Sequence, residues 1–286
     1  MLNPRIFIGC DSREMIAAEV AAHSFRRCMP GYEIVFLTKE LCAEFGFTPD
    51  GRPGSTEFTY TRFLVPWLCG FKGLALFVDC DVLMLREPSP VGAEDQSADY
   101  DLHSLSNSLD MTQHALAVVP HFYVPSSSSK MDGQRQHAYF RKLWSAVMLL
   151  HCERLEPYWP KEVVEKESPA LLHGFTNIPT DEIGELPAAW HCLEPKKAIG
   201  LSKPIEGESG LSMCHDEYKA ILFHYTEGGP WFEKYAACPF SGRWYEEFEL
   251  IYGKGSAETF KNCVRDSGCG NWERLVSDPY SGIIRI

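Results

Sequence analysis

The chain has 286 residues, 45% of them hydrophobic and 13% aromatic, which is enough to bury a sizeable core in one large domain or two small ones. A net charge of -12 with no block of Lys or Arg argues against a nucleic-acid partner, because an acidic surface repels phosphate backbones. The start lacks a signal-peptide pattern, no apolar run reaches the ~18 residues of a membrane span, and the 11 cysteines are scattered without C-x-x-C spacing. The expectation is a reduced, cytoplasmic protein with no transmembrane segment.

Arg5 to Gly9 reads as a short buried strand ending at a polar turn. "EMIAAEVAAHSFRRC" then has apolar residues at helical spacing, with Asp11 or Ser12 as its cap. "YEIVFLT" is a second strand, "TEFTYTRFLVPWLCGF" is helical up to about Pro66, and "GLALFVDCD" is a third buried strand. Strand, helix, strand, helix, strand in this order predicts an α/β fold with a parallel sheet. Ligands in such sheets sit beyond the carboxyl ends of the strands, where Cys10-Asp11-Ser12 and Asp79-Cys80-Asp81 both fall. "HALAVVP" and "SAVMLLHC" are further strands, separated by the polar loop "VPSSSSKMDGQRQ". "YKAILFHYTEGGPWF" is a strand running into a Gly-Gly-Pro turn, and "RWYEEFELIYG" is helical.

Two carboxylates at the end of the most apolar run of the chain need a reason. If the strand continues through both, alternation puts Asp79 and Asp81 on one face with Cys80 opposite. Adjacent carboxylates repel, burial raises the cost, and a divalent cation such as Mg²⁺ or Mn²⁺ removes it. A solvated strand end or a helix cap is the plainer alternative. A haloacid-dehalogenase-like phosphatase also places an Asp-x-Asp after a hydrophobic strand. It carries the motif on its first strand, however, and needs a later acidic pair that is missing here.

Six segments in order resemble the retaining glycogenin-like and lipooligosaccharide-galactosyltransferase-like family, glycosyltransferase family eight, over roughly Ile6 to Trp231. They are "IFIGCDSRE", "YTRFLVPWL", "LFVDCDVLML", "WSAVMLLHC", "TDEIGELPAAW" and "FHYTEGGPWF". The resemblance implies a GT-A-type, Rossmann-like mixed, mainly parallel sheet flanked by helices. It implies one catalytic domain over 1–286, with a nucleotide-binding half (1–104) ending in the D-x-D, an acceptor-side half (105–235) and a C-terminal helical extension (236–286).

By the same resemblance Gly9, Cys10, Asp11, Ser12 and Arg13 hold the uracil and ribose, and Arg62 contacts the donor diphosphate. Asp11 as a helix cap and Arg62 in an ion pair are the structural alternatives. Asp79, Asp81 and His224 become the metal ligands, with Asp79 and Cys80 also beside the nucleotide, although His224 alone reads rather as a hydrogen-bonded structural histidine. Gly228 and Gly229 approach the phosphates. The family pattern has a Lys where this chain has Gly229, leaving backbone N–H groups, Arg62 or Lys234 to supply that charge. Asp181 and Glu182 are the candidate catalytic carboxylates beside the reacting sugar carbon, with Glu182 also readable as an acidic cap. Ser145, His151, Asp101, His103, Lys130, Asp132 and Gln134 are sugar or acceptor candidates, and Trp231 and Phe232 either cover the donor or close the core.

The implied activity is Mn²⁺- or Mg²⁺-dependent transfer of a hexose from a nucleotide-diphosphate sugar, UDP-linked, to a carbohydrate, lipid-linked or protein acceptor, with retention. A catalytically silent nucleotide-sugar and metal-binding module of the same fold is the alternative.

Overall fold

The computed structural model describes residues 4–48, 51–52, 54–86, 102–121, 129–130, 134–135, 141, 143–193 and 220–267. Strand β1 (Arg5–Gly9) is buried on both faces, as a strand in a covered parallel sheet must be. Helix α1 (Met15–Cys28) follows; its buried Ala17, Ala18, Ala21 and Ala22 let it pack closely on its neighbours. Neither Asp11 nor Ser12 caps it. The N-cap is Glu14, and the Asp11 carboxylate is taken up by Arg13 instead. After β2 (Glu33–Leu37), Thr38 Oγ1 accepts from Leu41 N at 3.1 Å and caps α2 (Lys39–Glu44).

A 3₁₀ turn at Thr61–Leu64 runs into α3 (Val65–Leu68), so the helical segment begins later than the sequence pattern implies and passes Pro66. That proline lies in the first turn of α3, where its missing N–H costs nothing. Then come β3 (Leu74–Asp79), β4 (Val82–Met84), α4 (Leu102–Ser108), β5 (Leu116–Val118) and a small hairpin, β6 (Ser129–Lys130) with β7 (Gln134–Arg135). β8 (Val147–His151), α5 (Cys152–Leu155), α6 (Lys161–Lys166), α7 (Pro169–His173), β9 (Ile183–Glu185), β10 (Cys192–Leu193) and β11 (Leu222–His224) follow. Helices α8 (Ser241–Tyr252) and α9 (Ser256–Ser267) complete the described chain.

The main sheet has the order β2-β1-β3-β8-β5-β9. β1 is parallel to β2 and β3, β5 is parallel to β9, and β8 is antiparallel to both of its neighbours. Register aligns Leu37, Gly9 and Asp79 in one row at the carboxyl ends of the first three strands. Because β8 is reversed, its entering residues Ser145 and Ala146 arrive at that same edge, with Val147 opposite Val78.

A second, three-stranded sheet has the order β10-β11-β4. Helix α1 serves both layers. Ala18, Ala21, Ala22 and Phe25 belong to the core around the main sheet. Ile16, Ala17 and Val20 belong to a second core with Trp231, Trp244, Phe248 and Phe260.

Candidate metal and nucleotide site

β3 does not run through Asp81. It ends at Asp79, and a turn at Cys80–Asp81 carries the chain into β4 of the second sheet. There His224 closes β11 opposite Val82, and Tyr225 N donates to Asp81 O at 2.9 Å. This pairing brings His224 Nε2 to 3.1 Å from Asp81 Oδ1. One ligand atom from each of Asp79, Asp81 and His224 lies within 4.8 Å of the others. Metal bonds of about 2.1 Å place trans ligands about 4.2 Å apart, so a small contraction seats one ion. Two carboxylates and an imidazole suit Mn²⁺, and the oxygens suit Mg²⁺. The donor set fits the cation that the sequence implies.

Arg62 is 4% exposed. Its Nη1 donates to Asp79 Oδ1 and to Ser145 O, both at 2.8 Å, and its guanidinium lies over the rings of Phe58 and Phe77. The ion pair foreseen as the structural alternative is therefore present, and it sets a cation beside the metal pair. Ser145 Oγ is 2.6 Å from His173 Nδ1, and His173 Nε2 is 3.1 Å from Thr59 O. Sequence reasoning missed His173, because a single His in "SPALLHGF" has no spacing that marks it.

It also missed two histidines behind His224. His191 Nε2 is 2.8 Å from His224 Nδ1, and the His121 ring meets the His191 ring edge-on at 4.4 Å. Burial, then the neighbouring His224, pushes His121 down to about 3. Burial, then His121 and His224, lowers His191 well below its ordinary value. Both rings are neutral near pH 7.

The Gly-Gly turn is enforced by packing. Gly228 has φ +131°, and a Cβ there would meet Tyr235 at 2.7 Å. A Cβ on Gly229 would fall 2.0 Å from the Trp231 ring. Trp231 is buried and donates Nε1 to Glu14 Oε1 at 3.0 Å. On the present backbone a lysine at 229 would run into the Trp231 ring. Lys234 is exposed, with Nζ 5.0 Å from the Tyr235 ring centre. Trp231 and Phe232 both belong to the second core. Thr226, also unforeseen, buries its hydroxyl in this turn with no hydrogen-bond partner among the described residues.

At the end of β1, the loop presents mainly backbone. Cys10 and Cys80 are buried thiols, each pushed well above its ordinary value chiefly by burial. Asp11 is fully buried; burial raises its carboxyl, but hydrogen bonds from the Arg13 side chain and backbone, with Glu57 N, outweigh that and hold it low. Ser12 N and Oγ donate to Glu57 at 3.0 and 2.9 Å. Arg13 lines a cleft of about 480 Å³ with Lys39, Arg52, Glu57 and Tyr60, beyond the ends of β1 and β2.

Asp181 and Glu182 are elsewhere. They precede β9, whose Ile183 pairs with Leu116, which pairs with Leu150, which pairs with Ala75 near the amino end of β3. From Ala75 to Asp79 is about 13 Å along the strand, and three strand spacings add about 14 Å across. The Glu182 carboxylate accepts from Arg154 and Tyr158 at 2.8 Å each. They sit at the opposite end of the sheet from Asp79. His151 ends β8 at that far end too. His103 lies half-buried on α4, Lys130 and Gln134 lie in the small hairpin, and Asp101, Asp132 and most of the serine loop are outside the described residues.

Protein CDI of Arabidopsis thaliana is 34% identical to this chain over 253 residues, covering 86% of each protein. The chain belongs to the CDI family. No family model matches it. The fold of this CDI-family chain is that of the GT-A glycosyltransferases. It is similar to the galactosyltransferase LgtC, solved with donor and acceptor sugar analogues, at a TM-score of 0.50, 16% identity, and coverage of 85% of this chain and 94% of that one. It is also similar to the bifunctional glycosyltransferase WbbM, at a TM-score of 0.52 and 14% identity over 86% of this chain. The CDI-family chain spans about half the length of WbbM, 51%. Among its described residues no helix is long and apolar enough to cross a membrane.

Proposed function

We propose that the chain is a glycosyltransferase that moves a hexose from a UDP-linked sugar to a carbohydrate, lipid-linked or protein acceptor, with retention. The carrying observation is the convergence of Asp79, Asp81 and His224 at the carboxyl edge of a GT-A sheet. Bound there, Mn²⁺ or Mg²⁺ supplies positive charge where the diphosphate departs.

The residues of the chain do the rest. Arg62, anchored on Asp79, adds fixed positive charge next to the leaving group. Gly228 and Gly229 present backbone in place of a side chain. The cleft lined by Arg13 and Tyr60 takes the nucleoside end of the donor. With Asp181 and Glu182 remote, retention proceeds by same-face attack within a short-lived ion pair, which needs no carboxylate nucleophile and so departs from a double displacement.

The exclusion of a lysine at Gly229 keeps one other reading in play, a silent module that binds donor without turning it over. Incubating the protein with Mn²⁺ and a panel of nucleotide sugars separates the two. Release of UDP from one donor, lost in Asp79→Asn and Asp81→Asn variants that remain folded, is the expected result. Binding without turnover under every acceptor favours the silent module. Wild-type metal affinity in both variants refutes the metal assignment.

A further inference from the structure

We infer that His191 is a positioning residue for His224, fixing its ring through the His191 Nε2 to His224 Nδ1 hydrogen bond so that Nε2 of His224 faces the metal. The inference rests on the metal site proposed above and concerns a residue outside it.

The geometry is specific. Only Nε2 of His224 points at Asp81. To give a lone pair to a cation, that nitrogen must carry no hydrogen, so the hydrogen sits on Nδ1. A buried N–H without an acceptor is costly, and His191 Nε2 at 2.8 Å is the acceptor in reach. The two rings are stacked 5.0 Å apart with an interplanar angle of 22°, so neither can swing without losing the contact.

His191 is held by its neighbours, and its own hydrogen then sits on Nδ1, which is buried with no hydrogen-bond partner among the described residues. It follows the Ala188–Trp190 turn, and the next residue, Cys192, pairs with Phe223 of β11. Ile221 N donates to Ala189 O at 2.7 Å, and the His121 ring packs edge-on against His191. Metal-binding histidines usually lean on a carboxylate or a carbonyl. A neutral imidazole fixes the tautomer without adding a third negative charge to Asp79 and Asp81, so the cation, and not the support, balances the site.

The test uses the full chain and Mn²⁺ alone, titrated by calorimetry. His191→Phe keeps a stacked ring but removes the acceptor, and should weaken Mn²⁺ binding by about 10- to 100-fold. His191→Asn restores a carbonyl acceptor and should recover most of that loss. Mg²⁺ depends less on a nitrogen ligand, so the Mn²⁺/Mg²⁺ affinity ratio should fall in His191→Phe, a change that simple loosening would not produce. Unchanged Mn²⁺ affinity in His191→Phe, or equal losses in Phe and Asn variants, overturns the inference while leaving the metal site standing. Absence of Mn²⁺ binding by the wild type overturns both. Should His191→Phe fail to fold, long-range ¹⁵N–¹H spectra of the Mg²⁺-loaded wild type read the tautomer directly. A hydrogen on His224 Nδ1 supports the inference, and one on Nε2 refutes it.

Discussion

Replacing Gly229 by alanine adds a single carbon, and on the present backbone that carbon falls 2.0 and 2.1 Å from two ring atoms of Trp231. Ordinary carbon contacts lie near 3.5–4.0 Å, so the indole must retreat by about 1.5 Å. It has nowhere to go: Tyr225, Phe232 and Trp244 surround it at ring distances of 5.7, 6.1 and 5.5 Å. A shift of that size also breaks its 3.0 Å bond to the buried Glu14 carboxylate. Overpacking costs about 1–3 kcal/mol and a lost hydrogen bond to a charged group about 1.5–3, together roughly 2.5–6 kcal/mol. That is a large part of the about 5–15 kcal/mol that holds a typical domain folded. Urea unfolding followed by tryptophan fluorescence should show a markedly lower midpoint, with altered near-ultraviolet dichroism in the native state. A midpoint and spectrum equal to wild type would refute the claim that Trp231 excludes a side chain here. Gly229→Lys, which introduces the lysine of the glycosyltransferase family eight pattern, should be at least as destabilised and no more active.

Arg62→Met leaves Asp79 without its guanidinium, so the metal-free protein should lose about 3 kcal/mol in urea unfolding with chelator present. Mn²⁺ should restore more stability to this variant than to wild type, since the cation takes over the neutralising role. Glu182→Gln should lower stability modestly through lost contacts with Arg154 and Tyr158, yet leave transfer rates unchanged; a large loss of turnover would return it to the site. Burial raises the Glu247 carboxyl, but hydrogen bonds from His23 and Arg27 outweigh that and hold it below its ordinary 4.5. Its contribution is therefore complete above that pH and disappears as pH falls through the lower folded value. Glu247→Gln should flatten the acid limb of a stability-versus-pH curve, and an unchanged limb would show that other carboxylates set it.

The elements nearest the site were the most legible. β1 and β3 are covered on both faces, so they read as continuous apolar runs, and a charged pair at the end of such a run stands out. His224 is legible for the same reason. The turn at Cys80–Asp81 is not, because the apolar run resumes at once in Val82–Leu85 with no Gly or Pro to punctuate it; the assignment of the two strands to different sheets appears only in three dimensions. β9 is hidden by its brevity, and the placement of Asp181 and Glu182 beside the sugar rests on the resemblance of "TDEIGELPAAW" alone. His121, His173 and His191 carry no sequence spacing at all, since each meets its partner across the fold. Asp11 looked like a cap because a polar residue before a helix usually is one, whereas here Arg13 and Glu57 N claim its oxygens.

The placement of the three metal ligands has a mechanical consequence. Asp79 terminates the six-stranded sheet, His224 terminates a strand of the three-stranded one, and Asp81 sits in the turn between them. A cation held by all three would act as a rivet joining the two layers. Opening either layer would then release the ion, and its binding energy would resist both openings alike. Amide exchange at Phe223 and His224 should therefore slow together with that of Val78 and Asp79 as the metal is added, tying the unfolding of the two sheets into a single event.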